Sequence, residues 1–269
     1  MSFRINTNIG ALTAYNALSK VNSQAEKAQL RLATGQRINT VADDTSGYRV
    51  GKELNAKVTL MKSAQGNIGS AKDLLATSES ALSSINDLLN QIKGKVADAN
   101  DPTKNLTALA NDINALGDEI SAIFTNTKFN DTALLSGATG SYKSTFSFQT
   151  GATETTSITF GTMNSSNLTS ISGGGATSAN VASISVNTLL STVQDALGKI
   201  GNFQQRLDVK DEFLTNAISN ASSTVSRLFD ADMAMEQLNS TKASIGSSIA
   251  TSMVAQLNSA PQNILSLFR

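Results

Sequence analysis

The chain has 269 residues, 21 basic and 21 acidic side chains and a formal net charge of zero, enough for one large domain or two ordinary ones. With no His and no Cys, a Ser-His-Asp triad, a thiol nucleophile, a disulfide and the usual zinc, haem or iron–sulfur sites are excluded. Balanced charge argues against nucleic-acid binding, and apolar runs of only a few residues argue against a bilayer span.

At the N-terminus Ile5, Ile9, Leu12, Tyr15, Leu18, Val21, Ala25, Ala28 and Leu32 recur every three or four residues, the spacing of an amphipathic helix. Met1 to Gly10 carry Arg4 and scattered Asn, with no apolar region, so export without a cleaved signal peptide is expected. Gly35 and Gly47 then permit a bend, where Arg37 with Asp43 and Asp44 offers paired charges. Leu54, Val58 and Met61 lead into Ile68, Ala71, Leu75, Ser78, Leu82, Ile85, Leu89, Ile92 and Val96, a helix long enough to need a partner along its length. Asp98-Ala-Asn-Asp-Pro102 stops it, because Pro lacks the N–H and strains the preceding turn. Thr103 is the predicted cap of a shorter helix carrying Leu106, Leu109, Ile113, Leu116, Ile120 and Ile123.

Residues 132–194 change character, with Lys143 and Glu154 the only charges. Alternation in Ser144-Thr-Phe-Ser-Phe148 and Thr156-Ser-Ile-Thr-Phe160 predicts two strands around a turn at Gly151, and Ser172–Gly175 a loop tip. The stretch 132–185 is thus a small β-rich insertion between helices. From Val186 to Leu228 the steps alternate between four and three: Val186, Leu190, Val193, Leu197, Ile200, Gln204, Leu207, Asp211, Leu214, Ile218, Ala221, Val225, Leu228. Only Gln204 and Asp211 break this heptad stripe. A last amphipathic arm carries Leu238, Ile245, Ile249, Met253 and Leu257, then Ile264, Leu265, Leu267 and Phe268. Neither arm can cover its own stripe, and an isolated helix is marginal in water. Both arms are therefore expected to be loose alone and ordered in an assembly.

No cofactor or metal site is expected, and no enzyme. The carboxylate pairs Asp43/Asp44, Asp118/Glu119 and Asp211/Glu212 are adjacent in sequence and diverge on a helix. A membrane-inserting toxin would need basic arms, whereas the C-terminal arm has just Lys242 and Arg269 as cations.

Specific stretches go further. Ile5-Asn-Thr-Asn-Ile9 with Ala11-Leu12, Leu32-Ala-Thr-Gly-Gln-Arg-Ile-Asn-Thr40, Ala42-Asp-Asp-Thr-Ser-Gly-Tyr48, and Thr127 with Phe129 and Asn130 resemble bacterial flagellins. So do Ser226-Arg-Leu-Phe-Asp-Ala-Asp232 and Pro261-Gln-Asn-Ile-Leu-Ser-Leu-Phe-Arg269. The resemblance covers residues 1–135 and 185–269. It implies a mainly α fold of long antiparallel helices. An inner coiled coil of residues 1–43 and 236–269 would line a filament channel. Around it would sit an outer helical bundle of 44–235 with the β-hairpin insertion, lacking further outer domains. Assembly would fall to Ile5, Ile9, Leu12, Leu18, Val21, Leu32, Ile245, Ile249, Met253, Leu257, Ile264, Leu265 and Leu267, and the inter-layer joint to Gly35, Arg37, Asp43, Asp44 and Gly47.

The same resemblance implies an extracellular filament for swimming, built from many copies after export through the flagellar type III apparatus. The implied partners are an export chaperone, the filament cap, hook-associated proteins and sister flagellins, with no nucleic acid and no membrane insertion. A hook–filament junction protein is the alternative within this layout. Flagellins recognised by the vertebrate innate receptor present an Arg, a Leu and a Glu; the matching positions are Gln91, Lys95 and Glu119, which implies weak or no activation. Surface O-glycosylation in the family makes Thr162, Ser165, Ser166, Thr169, Ser170 and Ser172 candidates.

Overall fold

The computed structural model describes residues 9–135, 145–159, 168 and 170–267, with side chains described through residue 259. The described chain is mainly α: helices α1 (Ile9–Thr34), α2 (Thr45–Asp98), α3 (Leu106–Asn126), α4 (Asn187–Phe229) and α5 (Met233–Leu267). Two antiparallel pairs accompany them, β1 (Lys128–Phe129) with β2 (Thr132–Ala133), and β3 (Phe146–Gln149) with β4 (Thr155–Ile158). The chain divides into two compact units, Met1–Ala56 with Ser219–Arg269, and Lys57–Ile218. The divisions fall inside α2 and α4 rather than at the loops, further in than residues 43 and 236.

The Lys57–Ile218 unit has an apolar core read directly off the heptads. Val58, Met61, Ile68, Ala71, Leu75, Leu82, Ile85, Leu89 and Ile92 of α2 are buried, with Leu109, Ile113 and Ile120 of α3 and Leu190, Val193, Ile200, Leu207 and Leu214 of α4. Each such side chain contributes about 1.5–3 kcal/mol by leaving water. The polar interruptions are satisfied. Ser78 Oγ donates to Leu74 O (3.0 Å). Gln204 Nε2 donates to Glu79 (2.8 Å). Asp211 accepts from Gln65 Nε2 (3.0 Å) and Lys72 Nζ (3.2 Å). Lys72 also pairs with Asp208 at 2.8 Å. The Asp208 hydrogen bond raises the Lys72 ammonium above its ordinary range, and the Gln65 amide lowers the Asp211 carboxyl. The two misfits of the heptad are therefore polar ties between α2 and α4.

Two local expectations change. Asn105, not Thr103, caps α3, its side-chain oxygen accepting from the Thr107 and Ala108 N–H groups. Thr103 instead donates to Asp101 (2.9 and 2.7 Å), so it belongs to the turn that follows α2. The β1–β2 pair is an additional hairpin. Its two-residue loop, Asn130-Asp131, has positive φ at both residues (47° and 59°), the turn chemistry that suits a tight hairpin.

The β3–β4 hairpin pairs Phe146 with Ile158 and Gln149 with Thr155 around Gly151, as expected. It is tied to α2 by Asn67 Nδ2 donating to Gln149 O (3.2 Å) and to α4 by Lys210–Glu154 (2.8 Å). Residues 170–176 cross α3 so closely that a Cβ on Gly117 would collide with Ile171 backbone. The Asn114 amide fixes this crossing, donating to Ala176 O (2.8 Å) and accepting from its N–H (2.9 Å).

Candidate assembly surface

Both halves of the candidate surface lie in the unit formed by the chain ends. Helices α1 and α5 run antiparallel, with Arg31 opposite Glu236 (3.0 Å), Asn22 opposite Ser247 (2.9 Å) and Val21 against Gly246. Their seam is made of small residues. Ala28 and Ala243 are buried, and a Cβ on Gly246 would sit 3.3 Å from Val21 Cγ1. Small side chains let two helices approach closely. Glu236 is buried beside them, and its carboxylate is satisfied by the Arg31 guanidinium, a charge-assisted bond of the stronger kind.

The large apolar residues are elsewhere. Leu12 is 60% exposed, Ile245 57% and Ile249 56%, and Ile9, Tyr15, Leu238 and Met253 are also more than half exposed. Among the expected assembly positions Leu18, Val21, Leu32 and Leu257 are half-buried. Ile5 and the side chains of Ile264, Leu265 and Leu267 lie outside the described residues. The two arms cover one another only in part: Leu18, Val21, Ala28 and Leu32 of the α1 stripe are half-buried or buried, whereas Ile9, Leu12 and Tyr15 of α1 and Leu238, Ile245, Ile249 and Met253 of α5 stay largely in water. The seam itself is made of small residues, and Ile245 and Ile249 line its edge with more than half of their surface in water. A contiguous apolar face of this kind marks an interaction surface.

At the joint segment, Gly35 adopts φ +67° directly after α1, the left-handed cap that glycine provides. The chain then pairs with the end of α4: Arg37 N–H donates to Phe229 O (2.6 Å) and Ala231 N–H to Gly35 O (2.9 Å). The Arg37 guanidinium donates to Leu228 O (3.1 Å), at the negative end of α4. It therefore does not pair with Asp43 or Asp44. Those carboxylates are held by local N–H groups, which offer directed bonds without a long side chain to immobilise. Asp43 accepts from Asn39 N, Thr40 N and Thr40 Oγ1 (3.2, 2.9 and 3.0 Å), and the Thr40 backbone bond is the main cause of its lowered pKa. Asp44 caps α2, accepting from Gly47 N at 2.8 Å.

Phe229 is the anchor that the sequence reading did not pick out. It is buried, lies 6.2 Å from the Tyr48 ring, and occupies the space a Cβ on Gly51 would take. A glycine inside an otherwise regular helix was the available signal for such a close approach. Asp232, in the same Ser226–Asp232 stretch, caps α5 by accepting from Ala234 N and Met235 N (3.0 and 3.1 Å).

The remaining candidate positions separate. Gln91 and Glu119 are exposed, whereas Lys95 is tied to Asp112 at 2.6 Å. Ser170 is exposed; Ser172 is half-buried, its hydroxyl donating to Leu168 O (2.9 Å). Thr162, Ser165, Ser166 and Thr169 lie outside the described residues. Among the described residues no helix is long and apolar enough to cross a membrane.

Comparison with known proteins agrees with this geometry. Residues 5–139 match the model of the bacterial flagellin N-terminal helical region, and residues 184–268 that of the C-terminal helical region. The chain is 30% identical to flagellin of Bacillus subtilis (strain 168), covering 99% of this chain and 100% of that protein. It is 29% identical to the flagellar filament 33 kDa core protein of Treponema phagedenis, covering 98% and 99%. A solved structure of a putative flagellar hook-associated protein from Vibrio parahaemolyticus shares the fold at TM-score 0.55 and 16% identity, over 70% of this chain and 100% of that one. Filament proteins match the chain over nearly its whole length, at both helical ends: the chain belongs to the bacterial flagellin family, the structural subunits of the extracellular flagellar filament.

Proposed function

We propose that the outward stripes of α1 and α5 are the surfaces through which this subunit polymerises, and that both helices gain most of their apolar burial from neighbouring copies. The supporting observation is the exposure just described: Leu12, Ile245, Ile249 and their neighbours remain more than half in water beside a seam of small residues. Covering seven such side chains contributes roughly 10 kcal/mol or more per subunit, enough to offset the ordering of two helices. Before assembly the same stripe needs cover, which is the role assigned to an export chaperone. The filament cap and hook-associated proteins would meet it at the two ends of the polymer.

Seeded growth followed by electron microscopy tests this reading. Filament fragments incubated with the full chain are expected to elongate for as long as subunits remain. Growth that stops at a short collar would instead make the chain a junction protein.

The receptor-equivalent positions support weak recognition. Gln91 lacks the bidentate guanidinium of an Arg, and the Lys95 ammonium is engaged by Asp112 where an apolar contact is required. Little signal from receptor-bearing reporter cells is expected, and full potency would refute this assignment.

A further inference from the structure

Among the described residues away from the chain ends, the most exposed large apolar side chains are Phe213 and Val209 on α4, at 69% and 68%. They lie four residues apart, on the side of α4 opposite Ile200, Leu207 and Leu214. Arg206 shares that outer face and stacks over Phe203 at 5.4 Å, and Glu212 flanks it. An aromatic and a β-branched side chain held in water on an otherwise polar face are a docking feature looking for a concave partner.

The same unit carries one. A shallow groove runs along α2 past Ala76, Ser80, Ala81 and Ser84, with Lys128 on its far wall. Three of its hydroxyls are already satisfied by helix carbonyls: Thr77 Oγ1 donates to Asp73 O (2.9 Å), Ser84 Oγ to Ser80 O (3.1 Å) and Thr127 Oγ1 to Ile123 O (2.6 Å). Apolar atoms over those three positions therefore strand no donor. Asp87 continues the groove's face of α2 one turn beyond Ser84. No ion pair among the described residues engages Glu212, Lys128 or Asp87.

We propose that Val209 and Phe213 of one subunit seat in the Ala76–Ser84 groove of a second copy of this chain, with Arg206 meeting Asp87 and Glu212 meeting Lys128. The charges are complementary at both places. The spacing also fits, because Arg206 to Phe213 and Asp87 to Ser80 are each seven residues, about 10 Å along a helix, for two helices crossing in opposite directions. Projection and groove are different patches, so the contact is heterologous, the kind that repeats from copy to copy in an open filament when its rotation does not close a ring. The inference rests on polymerisation and adds a specific contact outside the terminal helices.

The absence of cysteine makes the test clean. Filaments of a Ser80→Cys/Phe213→Cys chain, oxidised with diamide, are expected to give a ladder of covalent oligomers on a non-reducing gel. Either single variant is expected to give none. Normal filaments that remain monomeric on the gel would overturn the contact while leaving polymerisation standing, whereas a native chain that never polymerises removes the reading beneath it. A second measurement covers a double variant that assembles poorly. Phe213→Ser is expected to raise the critical concentration about 10-fold without moving monomer unfolding, and an unchanged critical concentration would overturn the proposal. Lys128→Glu is expected to weaken growth and Glu212→Lys in the same chain to restore it; no restoration counts against the pairing.

Discussion

The Lys57–Ile218 bundle and the α1–α5 pair are built from helices with the same three-and-four apolar spacing, yet they spend it in opposite directions. In the bundle Ile68, Leu75, Leu82, Ile85 and Leu89 are enclosed within one chain. In the terminal pair the enclosed residues are Ala28 and Ala243 beside Gly246, and Ile9, Leu12, Leu238, Ile245, Ile249 and Met253 stay largely in water. A helix that hides its large residues is stable for its own sake. One that hides its small residues holds a partner close and reserves the large ones for other molecules. The same periodicity therefore serves folding in one region and assembly in the other.

Mutations should separate the two regions. The largest effect belongs to the bundle: Leu82→Ala is expected to cost about 2–5 kcal/mol of monomer stability by leaving a cavity, read from urea unfolding. Ile249→Ala in the terminal pair should move the same transition by less than about 0.5 kcal/mol; equal losses would erase the distinction. Next is the joint, where Gly51→Val puts a side chain into the space of the Phe229 ring. A loss of about 1–3 kcal/mol is expected from overpacking, partly recovered when Phe229→Leu is added, and thermal melts of the single and double variants check it.

Much of the bundle was legible because its heptads are regular and each apolar slot could be assigned to one face. The polar slots Gln204 and Asp211 looked like defects, and only the antiparallel register of α2 and α4 brings Glu79, Gln65 and Lys72 opposite them. The terminal stripes were legible as stripes. Inside the pair Ala28 was legible as a member of the N-terminal stripe, whereas Ala243 and Gly246 carry little hydrophobic signal and matter through closeness. The joint was hardest. Arg37 near Asp43 and Asp44 in sequence suggested a charge pair, but its partner is the Leu228 carbonyl, 191 positions away, which no local pattern encodes.

Smaller effects sharpen the comparison further. Glu236→Gln should weaken the terminal pair by about 1–2 kcal/mol through loss of a charged hydrogen bond, and a double-mutant cycle with Arg31→Met should recover a coupling of that size. In the bundle the corresponding polar tie is partly exposed and worth about 0.5–1 kcal/mol. The folded pKa of Asp211 lies below its ordinary 3.8, so its contribution is full above that value and is lost as pH falls through the lowered one. Lys72 is raised above 10.5, so its contribution is full below that value and disappears as pH rises through the raised one. Asp211→Asn should therefore flatten the stability profile below about pH 4, as followed by circular dichroism.

The most direct measurement pairs monomer unfolding with seeded elongation for an Ile245→Ser/Ile249→Ser chain. If the outward stripe exists for neighbouring copies, the unfolding transition stays where it is in the native protein and filament seeds no longer grow. Seeds that elongate at the native rate, or a monomer that loses its fold, would contradict it.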